Sequence, residues 1–418
     1  MNGFMDFFQE KMVPPLVKMG NQKHLKAIRN GIAAVIPFII VGSMFLIITN
    51  LPIPHWQDML GDWVGKLGAA VNASFGVIAI LATIGIGYNL SKEYNLEPIS
   101  GAMISLVAFL LTQMNEKYVL DTSKFDSSGL FTSIVVSIVG VEILRIFVKK
   151  GIVIKLPEGV PPAVANSFAS LLPAAAVIVL TWFIRIVIGF DITNFLTLIF
   201  SPLVFALNTL PGIIVFSIFV CLLWSVGIHG DTIMGSIAEP IFLQYLAANT
   251  KAFAAHQPIP YITAAGFWSV FICIGGTGAT LALVLLMLKS KSKVFKSLGK
   301  LAFPSSIFQI NEPVIFGFPI VMNPTVLIPF VSIPLILTIC TYILMYFNII
   351  GRPVAMVPWT TPPIIGPFLT TGGDWRAAVW AILTIIISIV IYIPFFRIAE
   401  KEQLQLEKQE ASNISVEV

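Results

Sequence analysis

The chain has 418 residues, 57% of them hydrophobic and only 11% charged, with a formal net charge of +4. Soluble domains carry roughly 25% charged residues, so this composition cannot cover a water-facing surface. It excludes a soluble protein, and nothing in it points to a nucleic-acid partner.

Residues 1–29 are mixed in charge and weakly amphipathic, and the first apolar run starts only after Arg29. A secretory signal would place its apolar run nearer the start and end it at small residues. The segment is expected to lie on the membrane surface or to pack on the body of the protein. A bilayer core takes roughly 20 apolar residues per helix. Candidate spans are residues 30–50, 73–91, 98–114, 129–148, 164–189, 211–228, 261–288, 325–349 and 375–397. Residues 231–248 and 301–322 are apolar but dense in Pro, Gly and polar residues, and residues 190–208 suit an amphipathic connector or a further span.

Basic residues in cytoplasmic loops set orientation. Lys11, Lys18, Lys23, Lys26 and Arg29 precede the first span, and Arg145, Lys149, Lys150 and Lys155 follow the fourth. The intervening loops at 52–71 and 115–128 carry Asp58, Asp62, Glu116, Asp121 and Asp126. The N-terminus is therefore expected inside. The lysines of 289–300 and the charge-rich tail 398–418 are expected on the same side.

Charge at membrane depth costs roughly 2.5–3.5 kcal/mol per group on insertion scales. The residues that need a reason are Glu142, Arg145, Arg185, His229, Asp231, Glu239 and Glu312. Glu312 stands before Pro313 in FQINEPVIFGFPIVMNP, with Gly317, Pro319 and Pro324 as further breaks. Proline disfavours helix at the residue before it. Broken backbone is tolerated at membrane depth only where protein or a wet cavity surrounds it. The stretch reads as a re-entrant hairpin presenting Asn311 and Glu312, whose acceptors and donors suit a polyhydroxylated ligand. A loop glutamate paired with a lysine of 289–300 is the plainer alternative.

His229 ends an apolar run between Gly227 and Gly230, where glycine lets the chain turn and a ligand approach. Imidazole both donates and accepts, so it suits sugar hydroxyls, although a structural histidine at a helix end fits the same pattern. Asp231 reads best as an N-cap of the next helix. Glu239-Pro240 repeats the grammar of Glu312-Pro313. IGGTGATLAL (274–283) suits close helix packing, with a ligand approaching its backbone as the alternative. Trp359, in a Pro/Gly-rich loop at 351–376, has an indole face that could stack on a sugar ring or sit in an interfacial belt. Trp224 and Trp268 read as belt or packing residues, and Arg145 and Arg185 as snorkelling span ends. Cys221, Cys273 and Cys340 lie in apolar runs without a CxxC pair, as small buried hydrophobes do. No metal site, no cofactor and no ATP-hydrolysis motif is expected.

These motifs carry a resemblance. HLKAIRNGI with PFIIVGSMFLI, GIHGD, and above all INEPVIFGFPIVMNP resemble the membrane-embedded IIC component of the bacterial sugar phosphotransferase system, in its lactose/cellobiose/N,N′-diacetylchitobiose branch. The resemblance covers essentially the whole chain.

It implies an all-α polytopic membrane protein of about ten transmembrane helices plus two re-entrant hairpins, near 231–248 and 301–322. It implies a homodimer in the bacterial cell membrane, with both termini cytoplasmic. Residues 30–190 would form a scaffold and dimer interface, 191–210 a connecting segment, and 211–397 a sugar-binding transport half. A disaccharide would enter from outside and be phosphorylated by a phosphocysteine of a separate IIB protein, with IIA, HPr and enzyme I upstream. The chain itself would carry no phosphoryl group. The family glutamate falls on Glu312, bonded to the hydroxyl to be phosphorylated, and the family histidine on His229. Asn311, Trp359, Glu239 and Gly227 complete the expected sugar site. A cation-coupled secondary sugar transporter is the alternative, because broken helices and buried carboxylates suit it too. A sugar receptor that transports nothing is a third reading.

Overall fold

The computed structural model describes residues 21–414 apart from positions 52, 158, 319, 321 and 322, together with isolated positions among the first twenty. The expected N-terminal surface segment and the break at Pro319 therefore lie largely outside the described residues. What is described is helical. A single β-bridge, Met114 with Leu120, is the one strand-like pairing among the described residues.

The first half is a bundle. Helix α1 (Lys23–Ala33) starts where the Gln22 side chain accepts from the Leu25 N–H, and α2 (Ile36–Thr49) follows a break at residues 34–35 with Pro37 in its first turn. Next come α3 (Trp63–Phe75), α4 (Ile78–Glu93), α5 (Pro98–Thr112), α6 (Leu130–Lys149) and α7 (Leu171–Trp182). Helix α4 packs against α1, α5 and α6. Small residues bring α4 and α5 together: a Cβ at Gly101 would lie 2.9 Å from the Gly87 carbonyl oxygen. Lipid tails give apolar helices no hydrophobic drive to associate, so such close backbone packing supplies the contact instead.

Glu142 of α6 accepts from the Tyr94 hydroxyl (2.5 Å) and from Arg145 Nη2 (2.6 Å), and meets His24 Nε2 at 2.8 Å. Arg185 donates to the Met114 carbonyl through Nε at 2.9 Å. These charges in the first half are thus engaged with one another or with backbone.

Helix α8 (Ile192–Leu207) is bent by 80° from α9 (Leu210–Ser225). The 25-residue α10 (Gly230–Ala254) then runs unbroken through Pro240. Residues 231–248 are accordingly one stretch of helix, not a hairpin in themselves. Packing around α10 offsets the one helix bond that Pro240 removes. The stretch 261–288 departs from the expected single span. It contains a wide helical turn at Phe267–Ile272, a glycine turn, and the short helix α11 (Leu281–Leu288). Gly275, Gly276 and Gly278 hold positive φ of 76°, 100° and 90°, a backbone that L side chains resist.

Helix α12 (Lys293–Ile307) leads through a turn at Gln309 to the six-residue α13 (Glu312–Gly317). Helices α14 (Pro324–Tyr346) and α15 (Trp375–Ile414) complete the chain. Helix α15 carries the tail out as continuous helix. Glu400 accepts from Ser290 Oγ (2.6 Å) and the Lys291 N–H (2.7 Å), and Glu407 accepts from Ser292 Oγ (2.6 Å) and the Val294 N–H (3.1 Å).

By length and composition, six helices among the described residues can each cross a bilayer, or seven if the bent α8–α9 pair is one span. Helix α5 is a shorter apolar helix. The main apolar core is shared by both halves, running from Ile28, Ile32 and Ile39 to Phe216, Tyr245, Phe330 and Tyr392. That shared core seats α1 against α10.

Candidate functional site

A cavity of roughly 570 Å³ opens between the first helix and the broken elements of the second half. Its wall includes His229, Asp231, Glu239, Asn311, Glu312 and Trp359. Five of the six expected site residues therefore meet around one space, although they lie up to 130 positions apart in the chain. Gly227 does not line it. Its φ is 79°, and its N–H bonds the Trp224 carbonyl (3.0 Å) while the Ile228 N–H bonds the Leu223 carbonyl (3.0 Å). This pattern closes the C-terminus of α9 with a left-handed residue, so Gly227 makes the turn and stays out of the cavity wall.

His229, not Asp231, caps α10. Its Nδ1 accepts from the Thr232 N–H at 3.2 Å and lies 3.0 Å from Thr232 Oγ1. With Nδ1 accepting, the neutral ring carries its proton on Nε2, which becomes a hydrogen-bond donor. The ring packs on Trp224 with centroids 4.3 Å apart.

Asp231 instead gathers three donors: Trp224 Nε1 (2.7 Å), Trp268 Nε1 (2.6 Å) and Thr277 Oγ1 (2.7 Å). Both indoles are buried, at 4% and 8% exposure, so neither is a belt residue. The carboxylate ties α9, α10, the 267–272 turn and the glycine turn to one point. Bonds to a charged acceptor contribute roughly 1.5–3 kcal/mol each. Sequence reasoning missed this cluster because its partners come from three separate segments. The available signal was the aspartate itself, since an unpaired charge at that depth needs donors.

Asn311 is 4% exposed and donates through Nδ2 to the Thr277 carbonyl at 2.7 Å. The Gln309 side chain accepts from the Gly275 N–H and donates to the Thr361 carbonyl (3.3 Å). The two amides thus lock the glycine turn to the segment leading into α13. Gly276 and Thr277 face the cavity, so the glycine turn is both a packing element and part of the wall. Pro313 sits in the first turn of α13, where its missing N–H is no loss. The Val314 and Ile315 N–H groups both bond the Asn311 carbonyl at 2.9 Å. Glu312 is left exposed at the head of this short helix, and no hydrogen bond or ion pair engages it among the described residues. Glu239 is likewise unengaged among them.

The loop carrying Trp359 is pinned across the two halves. Met356 N–H donates to Ser43 Oγ of α2 at 2.7 Å, and Asn249 Nδ2 and Thr250 Oγ1 bond the Pro353 and Val354 carbonyls at 2.8 and 2.6 Å. Trp359 itself stays 57% exposed at the cavity. Among the described residues no group of three or more His, Cys, Asp or Glu could hold a metal ion.

The profile of the family "Phosphotransferase system, EIIC" matches residues 29–334. The chain belongs to the phosphotransferase-system EIIC family. Several relatives match over nearly all of their own length. The lichenan permease IIC component of Bacillus subtilis (strain 168) is 39% identical, with 97% of this chain and 96% of that one covered. The cellobiose-specific EIIC component of Geobacillus stearothermophilus is 38% identical, over 98% and 97%. The crystal structure of the transporter ChbC, the IIC component of an N,N′-diacetylchitobiose-specific system, is 38% identical with a TM-score of 0.92, over 96% and 99%.

An EIIC component works with a sugar and a IIB partner. The polar groups of this EIIC cavity are of the kind such work needs: an unengaged carboxylate, an Nε2–H donor and an exposed indole face. They sit against apolar walls from Ile32, Ile36, Ile40 and Phe216.

Proposed function

We propose that this EIIC component imports a disaccharide of the cellobiose, diacetylchitobiose or lactose type and presents it to phosphorylated IIB. The carrying observation is that Glu312 and His229, from separate helices, open on one cavity with the Glu312 carboxylate unengaged. A sugar hydroxyl is a poor nucleophile near neutral pH. A positioned carboxylate orients it and takes its proton as phosphorus is attacked. Glu312 fills that role, and His229 Nε2–H holds a neighbouring oxygen. Asn311 and Glu239 shape the polar wall, and Trp359 offers its face to a sugar ring. The phosphoryl donor is a cysteine of IIB, supplied in turn by IIA, HPr and enzyme I, so this chain prepares only the acceptor.

The full-length match to EIIC relatives favours group translocation over a cation-coupled carrier, which would accumulate unmodified sugar. In this reading both termini face the cytoplasm. The half 30–190 forms a homodimer interface, a role supported by the low burial of the span Val164–Val187, 17% against 28–50% for the others.

Glu312→Gln tests the reading in vesicles charged with phosphorylated IIB. Sugar-phosphate formation is expected to fall at least ~100-fold, as loss of a general base does, while the protein stays folded. Wild-type rates in that variant would remove Glu312 from the mechanism.

A further inference from the structure

Besides His229, four ionisable side chains of Arg, Asp or Glu type line the cavity: Asp231, Glu239, Glu312 and Arg29. Three are acidic. Asp231 keeps its charge but is satisfied by three neutral donors, whereas no hydrogen bond or ion pair engages Glu239 or Glu312 among the described residues. A phosphoryl group brings close to two further negative charges into a space that already holds carboxylates. Like charges in a partly desolvated site repel strongly. Transfer there needs a cation, and among the described residues the wall contains one arginine and no lysine.

Arg29 is placed for this. It lies on α1 at the head of a stripe formed by Arg29, Ile32, Ala33, Ile36 and Ile40, all of which face the cavity. The four apolar members give a phosphate nothing to bind. Arg29 therefore marks the one end of the stripe where an anion could be held, and that end adjoins the chain terminus expected to be cytoplasmic. Its Nε donates to Asn30 Oδ1 at 3.3 Å, and no other hydrogen bond or ion pair engages the guanidinium among the described residues. Both Nη groups are thus available. A guanidinium presents paired donors that match two phosphate oxygens. It also comes from the first helix, near the start of the chain, whereas Glu312 and His229 come from the second half. The complete site needs both.

We propose that Arg29 binds the phosphoryl group during its transfer from IIB to the sugar. This rests on the phosphotransfer reading above. In the step, the sugar hydroxyl oxygen forms a bond to phosphorus as the phosphorus–sulfur bond of the IIB phosphocysteine breaks. Sulfur leaves with the electron pair as a thiolate, and the hydroxyl proton passes to Glu312. Arg29 pairs with the non-bridging oxygens of the phosphoryl group throughout and afterwards with the sugar phosphate. It is the counterpart of Glu312: one group takes the acceptor's proton, the other neutralises the incoming charge.

The test uses the full chain in proteoliposomes, as wild type, Arg29→Gln and Arg29→Lys. The sugar is whichever of cellobiose, diacetylchitobiose or lactose the wild type phosphorylates fastest. Three quantities are read: IIB-dependent phosphorylation, exchange of free sugar without IIB, and equilibrium binding of sugar phosphate against free sugar. In Arg29→Gln, phosphorylation should fall at least 30-fold further than exchange does. Affinity for sugar phosphate should fall at least tenfold further than affinity for free sugar, and Arg29→Lys should recover part of both. Equal losses in phosphorylation and exchange, or in the two affinities, would show a structural residue and overturn the proposal, as would wild-type phosphorylation in Arg29→Gln. If wild type exchanges sugar but phosphorylates none of the three with charged IIB, the functional reading fails first and the role of Arg29 fails with it.

Discussion

Trp268 Nε1 donates to Asp231 Oδ1 at 2.6 Å, across 37 positions of sequence. The bond joins the broken stretch at 267–272 to the head of α10, and Trp224 and Thr277 complete the set around the same carboxylate. Asp231→Ala leaves two buried indole N–H groups without an acceptor, each at a cost of roughly 1–3 kcal/mol. The variant should unfold in detergent at a clearly lower temperature and bind sugar weakly. Asp231→Asn keeps an acceptor and should lose less. Equal thermal midpoints for wild type and the alanine variant would deny Asp231 this organising role.

Gly276 has φ of 100°, and a Cβ there would lie 2.3 Å from Asn311 Cγ. Gly276→Ala should displace Asn311 from the Thr277 carbonyl and tilt the head of α13. Sugar affinity is expected to drop at least tenfold with little change in helix content by circular dichroism. Unaltered affinity in calorimetric titration would mean that the turn adapts without moving the site.

His229→Ala removes both the Nδ1 cap of α10 and the Nε2–H donor. Loss of a cap costs about 1 kcal/mol, so a modest fall in stability should accompany a larger fall in sugar affinity, about tenfold. His229→Asn separates the two effects, because asparagine caps well but does not reach as far. Full sugar affinity in His229→Asn would reduce His229 to a cap.

Trp359 is held by a loop whose ends meet at Asp374. That carboxylate accepts from the Gly351 N–H (2.7 Å) and pairs with Arg376 (2.9 Å). Burial alone would raise its pKa, but the hydrogen bonds from Arg376 and Gly351 outweigh it and hold it below the usual value. A depressed carboxylate contributes stability that is present above the unfolded value, about 3.9, and is lost as pH falls through the folded value. Acidification below about pH 4 should therefore loosen the loop. The acid-side drop in melting temperature should be smaller in Asp374→Asn, measured on purified protein. Identical pH profiles for the two would contradict the assignment.

The polytopic helical class and the positions of the costly charges follow from the sequence by itself. A charge such as Glu312 in an apolar run, followed by Pro313, is a local statement about solvation and backbone, and it needs no knowledge of neighbours. The same reasoning singled out His229 and Trp359. It misjudged Asp231 as a cap, and it left Trp224 and Trp268 between belt and packing roles, because what they do depends on which segments meet, and an indole's partner cannot be read from its own surroundings in the chain. Pro240 misled for a related reason: a proline breaks an isolated helix, whereas α10 is packed on several sides and runs through it. Only the tertiary structure decided that Gly227 turns the chain without lining the cavity, that Asn311 is committed to the glycine turn, and that Arg29 of the first helix shares a wall with Glu312. Burial cost is written residue by residue, but the donors that offset it, and the cavity they leave, exist only once distant helices are packed together.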